Sequence, residues 1–298
     1  MEIEICNGRF SARVNSLGAE LRSFREKNLE YIWQADPAYW GESAPWLFPI
    51  VCDLRDGQVE IEGQTYAMER HGFARTMAFQ AVEASESSVT FVLQASQATL
   101  RQYPYRFRLA IRYSLTAVGL TIAIRVSNQD RRVMYYNIGG HPGFRCPLYP
   151  GERFEDYRVV LDCQEHLNLP VLEPDTRLIN PAKINFRLDG DTLPLRYEQF
   201  QRDVLILDGL QSRGVCLVNP EGNGLRMEFP DFGMLGLWTM AGREAPYLCM
   251  EPWNGGCTYV DEDDRIEHKR LIQRLKPGGF RDYRIRLIPV SSFSGLGR

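Results

Sequence analysis

Hydrophobic and polar residues alternate along most of the chain with a period of two. Phe10, Ala12 and Val14 alternate with polar neighbours until Gly18 breaks the run. Val59-Glu60-Ile61 and Thr65-Tyr66-Ala67-Met68 flank Glu62-Gly63-Gln64, which predicts a hairpin. Residues 79–84 and 89–95 flank a Ser/Glu turn, and 106–115 and 120–126 are joined by a short link ending at Gly119. The pattern continues through 204–207, 215–218, 225–229 and 235–239. It closes at 281–288, where Tyr283, Ile285 and Leu287 oppose Arg284 and Arg286. Helical spacing is scarce: 96–103 predicts a short helix that ends near Pro104. No βαβ rhythm and no fixed repeat occur. Strands at this spacing, separated by turn residues, predict an all-β sandwich or barrel with few short helices.

The span 165–195, rich in Pro, Asp and Asn, reads as long loops, and the polar tail 291–298 reads as flexible. With no linker in view, 1–290 is expected to form a single β-sandwich domain. At 298 residues and 44% hydrophobic, the chain can fill a large core. A net charge of −3 with interspersed signs leaves no basic stripe for nucleic acid. No apolar run is long enough to span a membrane. The strand-like start, Met1-Glu2-Ile3-Glu4-Ile5, lacks the pattern of a secretion signal. Seven cysteines without a CxxC pair read mostly as buried thiols in a reducing compartment, not as a disulfide frame or zinc site. These features predict a cytoplasmic protein.

Candidate chemistry collects in three motifs. They are Arg70-His71-Gly72-Phe73-Ala74-Arg75, Gly139-Gly140-His141-Pro142-Gly143 and Glu251-Pro252-Trp253-Asn254-Gly255-Gly256. Each puts a titratable group among Gly, Pro or aromatic residues at a strand end, where a rigid sheet can position it. Singly, each has an ordinary structural reading: a turn histidine, a loop carboxylate, a core tryptophan. Together, two His and one Glu suit either metal binding or paired acid and base catalysis. No HxxxH or HxH spacing is present, so no metal site is expected. Imidazole and carboxylate can exchange protons with a small polar ring, and aromatic faces suit the apolar face of a sugar.

On these residues the chain resembles the aldose 1-epimerase (galactose mutarotase-like) family, nearest its LacX-like branch. Asp36-Pro37-Ala38-Tyr39-Trp40, residues 44–51, the His71 and His141 motifs, and Gly236-Leu237-Trp238 leading to Glu251-Pro252-Trp253 carry the resemblance in the family's order. It implies an antiparallel β-supersandwich with an open sugar cleft and no cofactor. It implies that Glu251 is the base for the anomeric hydroxyl, that His141 is the acid for the ring oxygen, and that His71 assists. Relatives carry Gly-Arg where this chain has Cys52-Asp53, so the family's sugar-binding Arg is missing there. Arg55 would point to the same face if the strand continues. Asp203 is the nearest match to the family's sugar-binding Asp, with a solvated turn residue as the alternative. Trp253 is a candidate platform for the sugar. Arg75, with Arg55 and Arg70, is available for a phosphate. The expected partner is a small-molecule sugar, and the expected state a monomer or homodimer. The expected function is anomer interconversion of a hexose or related aldose. The alternatives are a non-catalytic carbohydrate-binding or sensor protein, or a hexose-6-phosphate 1-epimerase.

Overall fold

A computed structural model describes residues 1–186 and 188–293. Strands dominate, as the alternation predicts, and the longest α-helix among the described residues is the four-residue Gln97–Leu100. That helix is shorter than expected. Ser96 caps it by accepting from the Thr99 N–H at 3.3 Å, and turns carry the chain on to Pro104.

Nine strands form the larger sheet. Its order is Thr192–Pro194, Arg158–Leu161, Gly214–Val218, Gly224–Glu228, Phe280–Val290, Leu120–Asn128, Phe107–Leu115, Ser88–Gln94 and Gln80–Ala84. The second sheet runs Leu205–Asp208, Met234–Trp238, Tyr247–Asn254, Ile138–Gly140 and Trp46–Leu47, with Gly143–Arg145 also paired to Tyr247–Asn254. A third sheet holds Glu2–Cys6, Phe10–Asn15, Glu20–Glu26 and Leu29–Glu30. Their pairings are antiparallel.

The core lies between the sheets. Leu109, Ile111, Ile124, Ile285 and Leu287 of the larger sheet share one buried cluster with Leu207, Leu235, Leu237, Leu248 and Met250 of the second. Each such side chain contributes about 1.5–3 kcal/mol on burial. Trp46 ties the layers with a polar chain. Its indole N–H donates to the Tyr113 hydroxyl at 2.8 Å, which donates to the Ala19 carbonyl at 2.6 Å.

The period of two decides the second sheet's other face. On Tyr247–Asn254, Leu248 and Met250 enter the core, which turns Cys249, Glu251 and Trp253 the other way. The strand is buried on both faces from Tyr247 to Trp253, so Glu251 is a carboxyl set in an otherwise largely apolar run.

Three expectations need correction. The span 165–195 is not all loop: Leu167–Leu172 and Ile179–Phe186 form a hairpin, with Thr192–Pro194 following. Its prolines are tolerated because the ladder has only two strands, and its register shifts at Pro170/Val171. The tail's first residues are held, with the Phe293 N–H donating to the Gly222 carbonyl at 2.8 Å; residues 294–298 lie outside the described residues. Cys52 and Cys257 are joined in a disulfide, while Cys6, Cys146, Cys163, Cys216 and Cys249 are free. The pair is separated by 205 residues, so spacing gave no sign of it.

Candidate active site

Glu251 sits in the middle of the Tyr247–Asn254 strand and is 1% exposed. Across the ladder it faces Gly236, and Trp253 faces Gly139 and Met234. The two glycines make room for the Trp253 indole. A Cβ at Gly236 would lie 2.8 Å from Trp253 Cζ2, and one at Gly139 would lie 2.7 Å from its Cδ1.

His141 leaves the end of Ile138–Gly140 in a bend riveted on both sides. Its N–H donates to Pro45 O at 3.0 Å, Gly143 N–H to Ser43 O at 2.8 Å, and Met250 N–H to Pro142 O at 3.1 Å. The His141 Nε2 lies 3.3 Å from Glu251 Oε2. The Trp40 ring packs on the imidazole at 4.8 Å between centroids, and Trp238 meets it edge-on at 5.7 Å.

His71 approaches from a third segment. Its φ is +66°, and its N–H donates to Cys52 O at 2.9 Å. The Cys52 N–H donates to His71 Nδ1 at 3.0 Å. A neutral imidazole with Nδ1 accepting carries its proton on Nε2. Arg70 Nε lies 3.1 Å from that Nε2. Two donors cannot bond each other, so the fixed backbone contact sets the tautomer and the flexible Arg70 yields. The His71 and His141 rings meet at 5.7 Å and 88°.

These groups line one cleft of about 270 Å³, together with Glu42, Cys52, Arg75, Asp203 and Val204. Arg75 donates to both Glu42 oxygens at 2.9 and 3.1 Å. Asp203 accepts from Arg177 at 2.7 Å, and Arg177 reaches Asp53 at 3.1 Å. Arg70 lies 3.6 Å from the same Asp53.

Burial governs the protonation of the central groups. It holds His141 down to about 3, with the Arg70 and Arg75 charges adding to the effect. It pushes Glu251 well above the usual carboxylate range; Asp203 reinforces this and Arg70 opposes it. The Trp253 indole N–H lies near the carboxylate without reaching hydrogen-bond geometry. His71 is held well below its ordinary value by burial and then by His141 and the nearby arginines. Burial therefore favours the uncharged form of the His141–Glu251 pair, in which the imidazole is neutral and the one proton they share lies on Glu251.

Cys249, two residues before Glu251 on the same face, offers a third donor atom. One atom each from His141, Cys249 and Glu251 lie within 4.8 Å of one another. This set is the group that could hold a metal. Burial raises the Cys249 thiol well above its ordinary range, so the sulfur must lose a firmly held proton to bind one.

Of the residues singled out in sequence, the cleft brings together His71, His141, Glu251, Arg75, Asp203 and Trp253. Arg55 is not among them. The strand expected to carry it toward the cleft is instead a 3₁₀ turn, Arg55–Gly57. Its guanidinium is caged by the Tyr259, Val260 and Glu262 carbonyls at 3.2, 3.1 and 2.7 Å and by Asp264 at 3.1 Å. Arg55→Ala is therefore expected to cost about 1–3 kcal/mol in urea unfolding and to leave any sugar KM within about twofold. A tenfold rise in KM without loss of stability would return Arg55 to the site.

Sequence reasoning did not single out Trp40, Trp238, Glu42 and Arg177 as site residues. Trp40 and Trp238 lie inside the family-like segments, so a signal existed for them. Glu42 and Arg177 carry no sequence mark; only the fold brings Glu42 to the cleft and Arg177 to the Asp203 that lines it.

Comparison with known proteins gives the family and the fold. The family profile for aldose 1-epimerase matches residues 1–273. The chromosomal protein LacX of Lactococcus lactis subsp. lactis is 36% identical over 286 residues, covering 93% of this chain and 95% of that protein. A galactose mutarotase-like protein from Lactobacillus casei ATCC 334 superposes with a TM-score of 0.91 at 28% identity, covering 97% of this chain and 100% of that one. The galactose 1-epimerase of Lactobacillus acidophilus NCFM shares the fold, with a TM-score of 0.69 at 14% identity over 98% of this chain and 94% of that one. The match over nearly the whole chain, on a supersandwich of the galactose mutarotase type, means that the chain belongs to the aldose 1-epimerase family.

Proposed function

We propose that the protein interconverts the α and β anomers of a free hexose or related aldose. The observation that carries this reading is the His141 Nε2 to Glu251 Oε2 distance of 3.3 Å at the floor of an aromatic-walled cleft. Glu251 takes the proton of the anomeric hydroxyl, and His141 gives one to the ring oxygen. The C1–O5 bond breaks as the C1 carbonyl forms. After rotation about C1–C2, the same transfers in reverse close the ring on its other face. No net proton is gained or lost, which suits a pair that shares one. The productive arrangement has that proton on His141. Sugar hydroxyls donating to the carboxylate favour it over the resting one, because hydrogen bonds to the charged form lower a carboxyl pKa. His71, with its Nε2–H toward the cleft, supports the ring-oxygen side.

The arginines weigh against a phosphorylated substrate. Arg75 is committed to Glu42, Arg177 to Asp53 and Asp203, and Arg70 lies beside Asp53. A phosphate would have to displace these carboxylates. The test is anomer exchange on a panel of free aldoses, followed by NMR. No acceleration on any of them would sink the reaction, and sugar binding without acceleration would leave a carbohydrate-binding protein.

The pair also sets a pH dependence. His141 accepts a second proton only near its lowered value of about 3, and then no base is left. At the other end, the pH must rise through the elevated value of Glu251 before the pair is emptied and no acid is left. The expected kcat/KM has no acid limb in the ordinary histidine range, and its alkaline limb lies well above the usual carboxylate range. An acid limb near the ordinary histidine value of about 6.5 would show that the two groups titrate independently.

A further inference from the structure

A second cavity of about 430 Å³ adjoins the catalytic cleft. Asp203 lines both, so its side chain is a shared wall. Arg177 holds that wall upright, bonded to Asp203 at 2.7 Å and to Asp53 at 3.1 Å. Another side of the cavity is the Leu167–Leu172/Ile179–Phe186 hairpin and its turn, where Val171, Leu172 and Pro174 supply an apolar surface. The polar rim is balanced in charge. Arg177 and Arg202 face Asp203 and Glu173. An apolar floor with a mixed donor and acceptor rim suits a pyranose ring, which has an apolar face and a hydroxyl edge. Of the two cations, Arg177 is committed to Asp203 and Asp53, which leaves Arg202 as the one open to a phosphate.

We propose that this cavity is a second sugar subsite, and that the preferred substrate is a reducing disaccharide. Its reducing ring opens at His141 and Glu251, and its second ring lies on Val171, Leu172 and Pro174 beyond Asp203. The proposal rests on the anomer-exchange reading for the fate of the first ring. The second ring's binding is independent of turnover.

The experiment measures calorimetric Kd and NMR exchange side by side for glucose, maltose, lactose, melibiose and glucose 6-phosphate. The first four present the same reducing ring with no second ring, with two kinds of 4-linked ring and with a 6-linked ring. At least one disaccharide is expected to bind about tenfold or more tightly than glucose. Val171→Trp, which fills the second cavity, is expected to bring that Kd ratio back toward one. Both results without any exchange would keep the subsite and sink the reaction. Exchange with a ratio near one for every disaccharide, or a ratio untouched by Val171→Trp, would overturn the subsite and keep the reaction. Tightest binding by glucose 6-phosphate would overturn it in favour of an anion site, and no binding by any probe would overturn both readings.

Discussion

Glu251→Gln is expected to slow anomer exchange by about 10²–10⁴-fold with little change in fold. The substitution keeps the volume of a side chain that is 1% exposed on a fully buried strand. It removes the one group placed to take a proton while His141 gives one. The amide also cannot share a proton with an imidazole 3.3 Å away. Stability should hold or rise slightly, because the carboxyl is already kept neutral by burial. The loss should appear in kcat more than in KM, since the transfer occurs only in the transition state. His141→Gln should give a comparable loss, and the double variant should be little worse than either single one, because the two act as a unit. A Glu251→Gln protein that retains a tenth or more of the wild-type rate would remove Glu251 from the reaction.

Gly72→Ala is expected to cost about 2–4 kcal/mol and most of the activity together. Gly72 has a φ of +70°, and an added Cβ would sit 2.4 Å from the Phe48 carbonyl oxygen and 2.6 Å from its carbon. Both contacts are backbone, so no rotamer change can relieve them. The Phe48 segment is held in turn: its N–H donates to His71 O at 3.2 Å, and its carbonyl accepts from Phe73 and Ala74 at 3.1 Å. Pushing it away moves His71 with it. Gly63→Ala is the control. Gly63 has a φ of +77° with nothing within 4 Å of an added Cβ, so it should lose only about 1 kcal/mol. Urea midpoints would compare the two. Equal losses would mean that the left-handed conformation alone accounts for the effect and that the Phe48 contact yields easily.

The parts of this protein that were legible in its sequence share one cause. Alternation along 106–115, 120–126 and 281–288 is a local consequence of one buried face, so it predicted the central strands of the larger sheet. Glu62-Gly63 predicted its hairpin because the turn needs two positive φ values, and the structure has +52° and +77° there. His71, His141 and Glu251 stood out because each is stiffened by its immediate neighbours. The errors share the opposite cause. Arg55 was extrapolated along a strand that ends before it, and the 167–186 hairpin was hidden by prolines that a two-stranded ladder tolerates. Cys52 meets Cys257, 205 positions further on, only after the chain between them has folded.

Taken alone, the sequence determined the all-β class, the family and six of the side chains that line the cleft, since these depend on local pattern and on motif order. Tertiary structure decided everything that depends on meeting. It set Glu251 against His141, stood Trp253 on two glycines of neighbouring strands, and removed Arg55 to a cage of carbonyls. It joined Asp53, Arg177 and Asp203, from three distant segments, into a wall between two cavities. Burial in that assembled cleft, which no residue carries in its own sequence neighbourhood, is also what lowers the histidine's affinity for a proton and raises the glutamate's.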